Sequence, residues 1–585
     1  MKALKHLNKY FYKYRYRLII GIIITIVAKI FALFTPRFVG DAINIISDKN
    51  NGNITYEVFK TELITIVLYI IGAAVIAGLF TFLMRQTIIN VSRHIEYDLK
   101  NEIYHHYQVL SLNFYKSNRT GDLMNRISED VGKVRMYVGP AIMYTMNTIT
   151  LFTVAIIYMV NTAPKLTLYT LLPLPILSVA IYKLSKLINK RSTIVQQSLS
   201  TLSTFTQETF SGISVIKSYG IEPRTNAEFD TLSAENRQKQ ISLTKVQALF
   251  FPMMILLIGV SNLIVVYIGG MQYMNGEIKD IGTIAAFLIY VNMLTWPVAI
   301  VGWVTSLVQQ AEASQERINE FLKTEPDIKN TVNELTPIKG DIEFKNVSFV
   351  YPDTNIEALK NVSFTLKSGQ TLAILGKTGS GKSTILDLIG RLYDVENNGV
   401  LVDNTSVSKL NLYSLREGIG YVPQDAFLFS DSIKNNIKFG KEDATDDEVI
   451  EAAKNARVHK NIIDFKKGYD TVLGERGITL SGGQKQRVSI ARAIIKKPDI
   501  LLFDDCLSAV DTETEEKILK NLVKLTKDKT TIIVSHRVSS AKNADQIIVL
   551  DDGKIIQSGN HENLINVEGY YKELYTKQLS EKEMQ

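Results

Sequence analysis

Six stretches in the N-terminal half of this chain are each long and apolar enough to cross a bilayer; the C-terminal half reads as a soluble α/β protein. The six run approximately Arg17–Ile46, Leu63–Met84, Tyr137–Val160, Lys165–Leu184, Leu249–Gly270 and Ile281–Leu307. A helical crossing takes about 20 apolar residues. One such stretch is as readily a buried globular helix, but six in succession predict a helical membrane domain. Lysine and arginine then orient it. Lys2, Lys5, Lys9, Lys13, Arg15 and Arg17 precede or open the first stretch, and the segments Arg85–Arg135 and Lys183–Lys245 are rich in both residues. On the other side the connections are short: Asn161–Pro164, and Met271–Asp280 with Lys279 as its one basic residue. The expected topology is multi-pass with both termini cytoplasmic.

This distribution also accounts for the net charge of +7, so nucleic acid is not an expected partner. With Cys506 the single cysteine, neither an intramolecular disulfide nor a cysteine-ligated metal is expected. The first apolar run is too long for a cleaved signal peptide and contains Lys29. It reads as an uncleaved span preceded by an amphipathic surface helix with Leu4, Leu7, Phe11 and Tyr14 on one face. Lys29 lies near the expected bilayer centre, where a lysine costs about 2.5–3.5 kcal/mol unless paired or hydrated. It is expected to face a water-filled cavity. Phe251, Met253, Met254, Tyr290, Met293 and Trp296 read either as packing and lipid-facing residues or as the lining of an apolar cavity.

The segments Arg93–Leu112 and Ile194–Ser211 are polar and helix-compatible, as cytoplasmic extensions of the spans should be. Each leads to a Gly-bearing turn, Arg119–Asp122 or Ser211–Lys217, where a membrane domain could touch a cytoplasmic one. The expected division is a transmembrane domain over 1–322, a linker over 323–340 holding Pro326 and Pro337, an α/β domain over 341–578 and a polar tail over 579–585.

In the α/β part, Gly376-Lys377-Thr378-Gly379-Ser380-Gly381-Lys382-Ser383-Thr384 fits the G-x-x-x-x-G-K-[ST] phosphate-binding loop. The strand-like Thr371–Leu375 precedes it and the helix-like Thr384–Gly390 follows, as the motif requires. The glycines let backbone N–H groups curl around an anion, Lys382 reaches the β- and γ-phosphates, and the Ser383 hydroxyl ligates Mg²⁺. A second apolar strand, Asp499–Phe503, ends in Asp504-Asp505. Asp504 at that position holds the metal through water. A third, Thr530–Val534, ends in Ser535-His536-Arg537. A histidine at the carboxyl end of a sheet strand beside a phosphate site is a candidate γ-phosphate contact.

Between these strands, Leu480-Ser481-Gly482-Gly483-Gln484-Lys485-Gln486-Arg487 resembles the signature motif of ABC transporters. Further segments are similar to that family: Tyr351 to the aromatic residue that stacks on adenine, Gln424 of Tyr421–Gln424 to the Q-loop, Ser508–Asp511 to the D-loop and His536 to the switch histidine. Gly474–Gly477, Phe114-Tyr115 with Gly121–Arg126, and Phe210–Lys217 resemble exporters of the multidrug type. The resemblance spans nearly the whole chain and implies an exporter half-transporter. Its fold is a six-helix membrane domain with long cytoplasmic extensions, fused to an α/β P-loop ATPase. The resemblance implies ATP and Mg²⁺ as cofactors, with Gln424 near the metal. It also implies a second half-transporter chain, whose phosphate loop holds the ATP that Ser481, Gly482, Gly483 and Gln484 of this chain would cap.

One departure stands out. The family usually places Glu after the metal-binding Asp as the catalytic base; here Asp505 stands, with a side chain one methylene shorter. General-base placement contributes about 10²–10⁴-fold. The chain therefore resembles the degenerate-site member of a heterodimeric exporter, with hydrolysis expected mainly at the site completed by a partner carrying Glu. The expected cargo is a small apolar or amphipathic compound. The alternatives are a homodimeric lipid or drug flippase, and an ATP-gated regulatory protein that pumps nothing.

Overall fold

The computed structural model describes residues 2–474, 477, 480–506, 517, 518, 521 and 528–583. Two units emerge. One comprises residues 1–108 and 121–324, the other residues 109–120 and 325–585.

The first unit is helical: α1 (Arg15–Asn50), α2 (Tyr56–Val109), α3 (Ile142–Thr162), α4 (Pro164–Leu171), α5 (Pro173–Ser211), α6 (Glu222–Gln247), α7 (Phe250–Met274) and α8 (Ile281–Leu322). Among the described residues five helical runs are long and apolar enough to cross a membrane: Arg15–Asn50, Tyr56–Val109, Thr120–Thr162, Glu222–Met274 and Ile281–Leu322. The remaining expected span, Lys165–Leu184, is divided between α4 and α5 at Leu172. Pro173 and Pro175 are the cause, since proline removes a backbone donor and crowds the preceding turn. The polar extensions are helical as expected, α2 continuing to Val109 and α5 to Ser211.

Apolar faces on these helices stay exposed, as lipid-facing surfaces do; Ile19, Ile20 and Ile23 on α1 are examples. The helices meet through a buried cluster that includes Leu33, Leu151, Met159, Phe287, Tyr290 and Leu294. The Tyr290 hydroxyl donates to the Leu33 carbonyl at 2.9 Å. Tyr290 and Met254 are buried packing residues, whereas Phe251 and Trp296 are exposed. Lys29 is half-buried, without an ion pair or hydrogen bond among the described residues.

The N-terminal helix corrects an expectation. Its apolar face, with Leu4, Leu7 and Tyr10 buried, packs on protein rather than on a membrane surface. Lys13 and the Tyr14 hydroxyl donate to Asp98 of α2 at 2.7 and 3.0 Å. Lys9 and the Tyr10 hydroxyl donate to Glu102, and Asn319 of α8 donates to the Ala3 carbonyl at 2.9 Å. Partners this remote in sequence leave no trace in the periodicity of the segment.

The second unit holds two sheets. β1 (Ile342–Val350), β2 (Glu357–Leu366), β4 (Val400–Val402) and β5 (Thr405–Ser406) form an antiparallel sheet in the order β2-β1-β4-β5. The second sheet has the order β10-β9-β3-β8-β7-β6. Its strands are β3 (Thr371–Gly376), β6 (Ile419–Val422), β7 (Ile500–Asp504), β8 (Thr530–Val534), β9 (Gln546–Asp551) and β10 (Lys554–Gly559). The run β9-β3-β8-β7-β6 is parallel and β10 is antiparallel. The central strands β3, β7 and β8 are apolar almost throughout and nearly wholly buried, as parallel strands covered on both faces must be. Register pairs Ile374 with Val534 and Val534 with Asp504, so the carboxyl ends of neighbouring strands line up. The C-terminal helix Tyr570–Glu583 runs into the segment expected as a polar tail.

Candidate active site

Four adjacent parallel strands bring the expected residues to one edge. β3 leads into the phosphate loop, β8 into His536, β7 ends in Asp504 with Asp505 next, and β6 ends two residues before Gln424. Ligands in open α/β sheets bind outside the carboxyl ends of the strands, and this is that edge.

The loop turns on glycines at positive φ. Gly381 sits at φ 97°, where an added Cβ would lie 2.3 Å from the Ala358 carbonyl oxygen. Gly376, at φ 151°, would meet the Leu550 carbonyl oxygen at 2.2 Å. Backbone this crowded admits no side chain, and only glycine lets the loop curl tightly enough to form an anion cradle. α9 (Lys382–Ile389) starts directly after Gly381. Lys382 is only 6% exposed. Its ammonium curls back to donate to the Gly376 and Lys377 carbonyls at 2.9 and 2.7 Å. Burial holds its pKa below the ordinary lysine value, against the pull of Asp505 and Asp504. The buried Ser380 hydroxyl has no hydrogen-bond partner among the described residues. An orphaned buried donor in a tightly curled loop at a helix start fits a phosphate, which would satisfy it.

The Ser383 hydroxyl donates to Asp504 Oδ1 at 2.8 Å. Burial raises the Asp504 pKa, the Ser383 hydrogen bond opposes this, and repulsion from Asp505 adds to it. Two hard oxygen ligands on neighbouring elements, one anionic, are a donor set that fits Mg²⁺. Asp505 is 8% exposed and has φ 40°. Its N–H donates to the Val534 carbonyl at 3.0 Å, which ties its backbone to β8. His536 is half-buried, and its backbone carbonyl accepts from the Gln578 side chain at 2.9 Å. Gln578 Oε1 also accepts from the Val538 N–H at 2.8 Å, so the C-terminal helix clamps the segment carrying His536.

Tyr351 stands at the end of β1. Its hydroxyl is 2.9 Å from the Thr384 hydroxyl, and its ring meets Phe349 and Tyr393 edge-on. Burial pushes its phenol up. The Lys116 ammonium lies 4.8 Å from the Tyr351 ring centre and 5.0 Å from that of Tyr393. Lys116 belongs to the short helix Leu112–Ser117 at the first Gly-bearing turn, which packs within the second unit. Ser111 and Asn113 also donate to Asp327 at 2.9 and 3.2 Å. Behind the loop, Asp387 of α9 is pushed up to about 6 by burial, with Lys116 opposing and Asp504 adding. Neither Lys116 nor Asp387 carries a motif, so the sequence did not single them out.

The signature is built differently. Ser481 caps α10 (Gly482–Ile495). Its hydroxyl accepts from the Gln484 N–H at 3.3 Å while Gln484 Oε1 accepts from the Ser481 N–H at 2.9 Å, a reciprocal capping box. Ser481 and Gly482 are exposed, and Gly483 and Gln484 are half-buried. No hydrogen bond or ion pair joins these four residues to Gly376–Thr384 among the described residues. The Gln486 side chain of α10 donates to the Gln424 carbonyl at 2.7 Å, linking the signature helix to the segment after β6. Ser508–Asp511, and Glu475 and Arg476 of the exporter-like segment, lie outside the described residues.

A phosphate loop, a strand-end aspartate and a detached signature, fused to membrane helices, define an ATPase that works on a membrane. A family model described as the ABC transporter transmembrane region matches residues 18–298, and one described as ABC transporter matches residues 359–508. The chain is 35% identical over 589 residues, 100% of both chains, to the multidrug resistance-like ATP-binding protein MdlA of Buchnera aphidicola subsp. Schizaphis graminum. It is 34% identical over 494 residues, 84% of this chain and 82% of the other, to the ATP-dependent lipid A-core flippase of Syntrophus aciditrophicus. A solved bacterial Atm1-family ABC exporter with ATP bound superposes with a TM-score of 0.79 at 27% identity, covering 96% of this chain and 98% of that one. The chain belongs to the ABC transporter family. It is a membrane-spanning exporter chain whose ATPase domain couples ATP hydrolysis to transport.

Proposed function

We propose that this chain is the degenerate-site half of a heterodimeric exporter that moves small apolar or amphipathic compounds out across the cytoplasmic membrane. In this reading both termini are cytoplasmic and the chain crosses six times, the broken α4–α5 segment included. Tyr351 stacks on adenine, and the loop Gly376–Thr384 wraps the phosphates with Lys382 on the β- and γ-oxygens. Ser383 and Asp504, with Gln424 nearby, would hold Mg²⁺, which when bound neutralises charge between those phosphates. His536 faces the γ-phosphate. Ser481–Gln484 cap the nucleotide held by the partner, through the N-terminus of α10.

The observation that carries the asymmetry is Asp505. Its carboxylate is retracted by about one C–C bond, roughly 1.5 Å, relative to a glutamate. Its backbone N–H is tied to Val534, which holds back the main-chain advance that would make up the difference. A general base must sit within hydrogen-bond reach of its water, and a shortfall of this size removes much of its effect. The site on this chain's own loop then retains ATP and turns it over slowly. Differential affinity of ATP for the closed arrangement still drives the switch between inward- and outward-facing states.

The test is purification of the affinity-tagged chain from its native membrane, with identification of what stays bound in stoichiometric amount. The expected result is a second half-transporter with Glu at the position equivalent to Asp505. Recovery of this chain paired only with itself, active in ATP hydrolysis, would assign a homodimeric flippase or drug exporter instead.

A further inference from the structure

α5 and α8 present matching stripes to each other. Tyr182, Ser185, Lys186 and Asn189 follow i, i+3, i+4, i+7 on α5, and Gly302, Thr305, Ser306 and Gln309 repeat that spacing on α8. Residues so spaced share one helix face. Between the stripes lies a cavity of about 620 Å³, within the range of sites for small organic ligands. From Pro175 to Asn189 the wall runs fourteen residues of helix, roughly 21 Å.

The lining changes character along that length. Phe152, Pro175, Ile181 and Val301 make one end apolar, while Lys186, Asn189 and Gln309 make the other polar. Lys186 is the single charged group in the lining, and no carboxylate faces it there. Among the described residues Lys186 has no ion pair, and the Asn189 and Gln309 side chains have no hydrogen bond. The Thr305 hydroxyl is spent on the Val301 carbonyl at 2.9 Å, so it does not compete for a ligand at the polar end. Lys186 falls two residues past the expected end of the fourth span at Leu184, at headgroup depth.

We propose that this cavity binds an amphipathic anion, its apolar tail against Phe152, Ile181 and Val301 and its acidic head on Lys186 with the Asn189 and Gln309 amides. This names the class of compound for the export reading, and rests on that reading only for the claim that the bound molecule is moved. The plain competitor is that Lys186 merely belongs to the basic side of the bilayer, as its neighbour Lys183 does. Lys183 lies on the same helix at similar depth and outside the cavity lining, so it is the control.

The probes are dansyl-undecanoate and the same tagged chain ending in an amine. Binding is measured by fluorescence to the purified transporter in phosphatidylcholine nanodiscs without nucleotide. A hydrogen-bonded ion pair of this kind predicts about tenfold tighter binding of the carboxylate. Lys186→Gln should erase that preference, Lys186→Glu should reverse it, Lys186→Arg should keep it, and Lys183→Gln should change nothing. Ser185→Trp, which fills the cavity, should weaken both probes. Added phosphatidylglycerol that competes through Lys186 would identify a lipid headgroup as the anion's source; no competition would identify a free amphiphile. An unchanged preference in Lys186→Glu, or an equal effect of Lys183→Gln, overturns the proposal. Because binding is read without ATP, a chain that binds undecanoate here yet exports nothing counts against the export reading and leaves the site standing.

Discussion

The phosphate loop and the signature come from the same unit but are finished to different degrees. The loop is anchored in the domain, with Ser380, Lys382 and Thr384 each at most 6% exposed and Ser383 tied to Asp504, while its tip Lys377–Gly379 is exposed. The signature is a capped helix start open to solvent, with no hydrogen bond or ion pair to the loop among the described residues. One region holds its anion cradle within the chain. The other offers a solvent-exposed helix N-terminus, an end that favours an anion. In the proposed heterodimer these are two half-sites of different nucleotides, and their chemistry can be separated by mutation.

The largest effect is expected on the signature side. In the assembled transporter Ser481→Ala should cut kcat by about 10²–10³-fold, the usual loss when one preorganised donor to a transition-state oxyanion is removed. Ser481→Asn keeps a capping oxygen, so its melting temperature should hold while its ATPase falls. A parallel loss of stability in both variants would reduce the effect to a lost helix cap.

On the loop side the expected change is first in stability. Burial raises the Asp387 pKa to about 6, above its ordinary 3.8. The folded state therefore binds this proton more tightly, and its stability falls as pH rises through about 6. Asp387→Asn should stabilise the ATPase unit by about 1–3 kcal/mol above that pH. The gain should vanish below about pH 4, where both side chains are neutral. Thermal denaturation of the two proteins across that range checks it, and a gain independent of pH would contradict it.

In the proposed heterodimer, where the faster site is the partner's, Lys382→Ala should weaken ATP retention on this chain while lowering total turnover by no more than about fivefold. Equal kcat losses for Lys382→Ala and Ser481→Ala would collapse the distinction between the two regions. Asp505→Asn should matter least, changing turnover by less than about twofold, where loss of a working base costs about 10²–10⁴-fold.

Local patterns made most of the site legible. The strand–loop–helix around Gly376–Thr384, the strand ending at Asp504 and the strand ending before His536 all follow from apolar runs and turn residues close in sequence. What escaped depends on partners far along the chain. Lys116 meets Tyr351 and Tyr393, Gln578 holds His536 and Val538, and the N-terminal helix seats its apolar face on the chain itself. No periodicity encodes such pairs. Within the segment Lys165–Leu184 the apolar content marked the span, while the interruption at Leu172 follows from Pro173 and Pro175, which each remove a backbone donor.

The central claim is that this chain supplies two unequal half-sites. ATPase activity of the purified chain, alone and with its partner, tests it most directly. The account predicts slow hydrolysis by this chain alone and brisk hydrolysis by the pair. Brisk turnover by this chain alone, lost on Asp505→Asn, would contradict it.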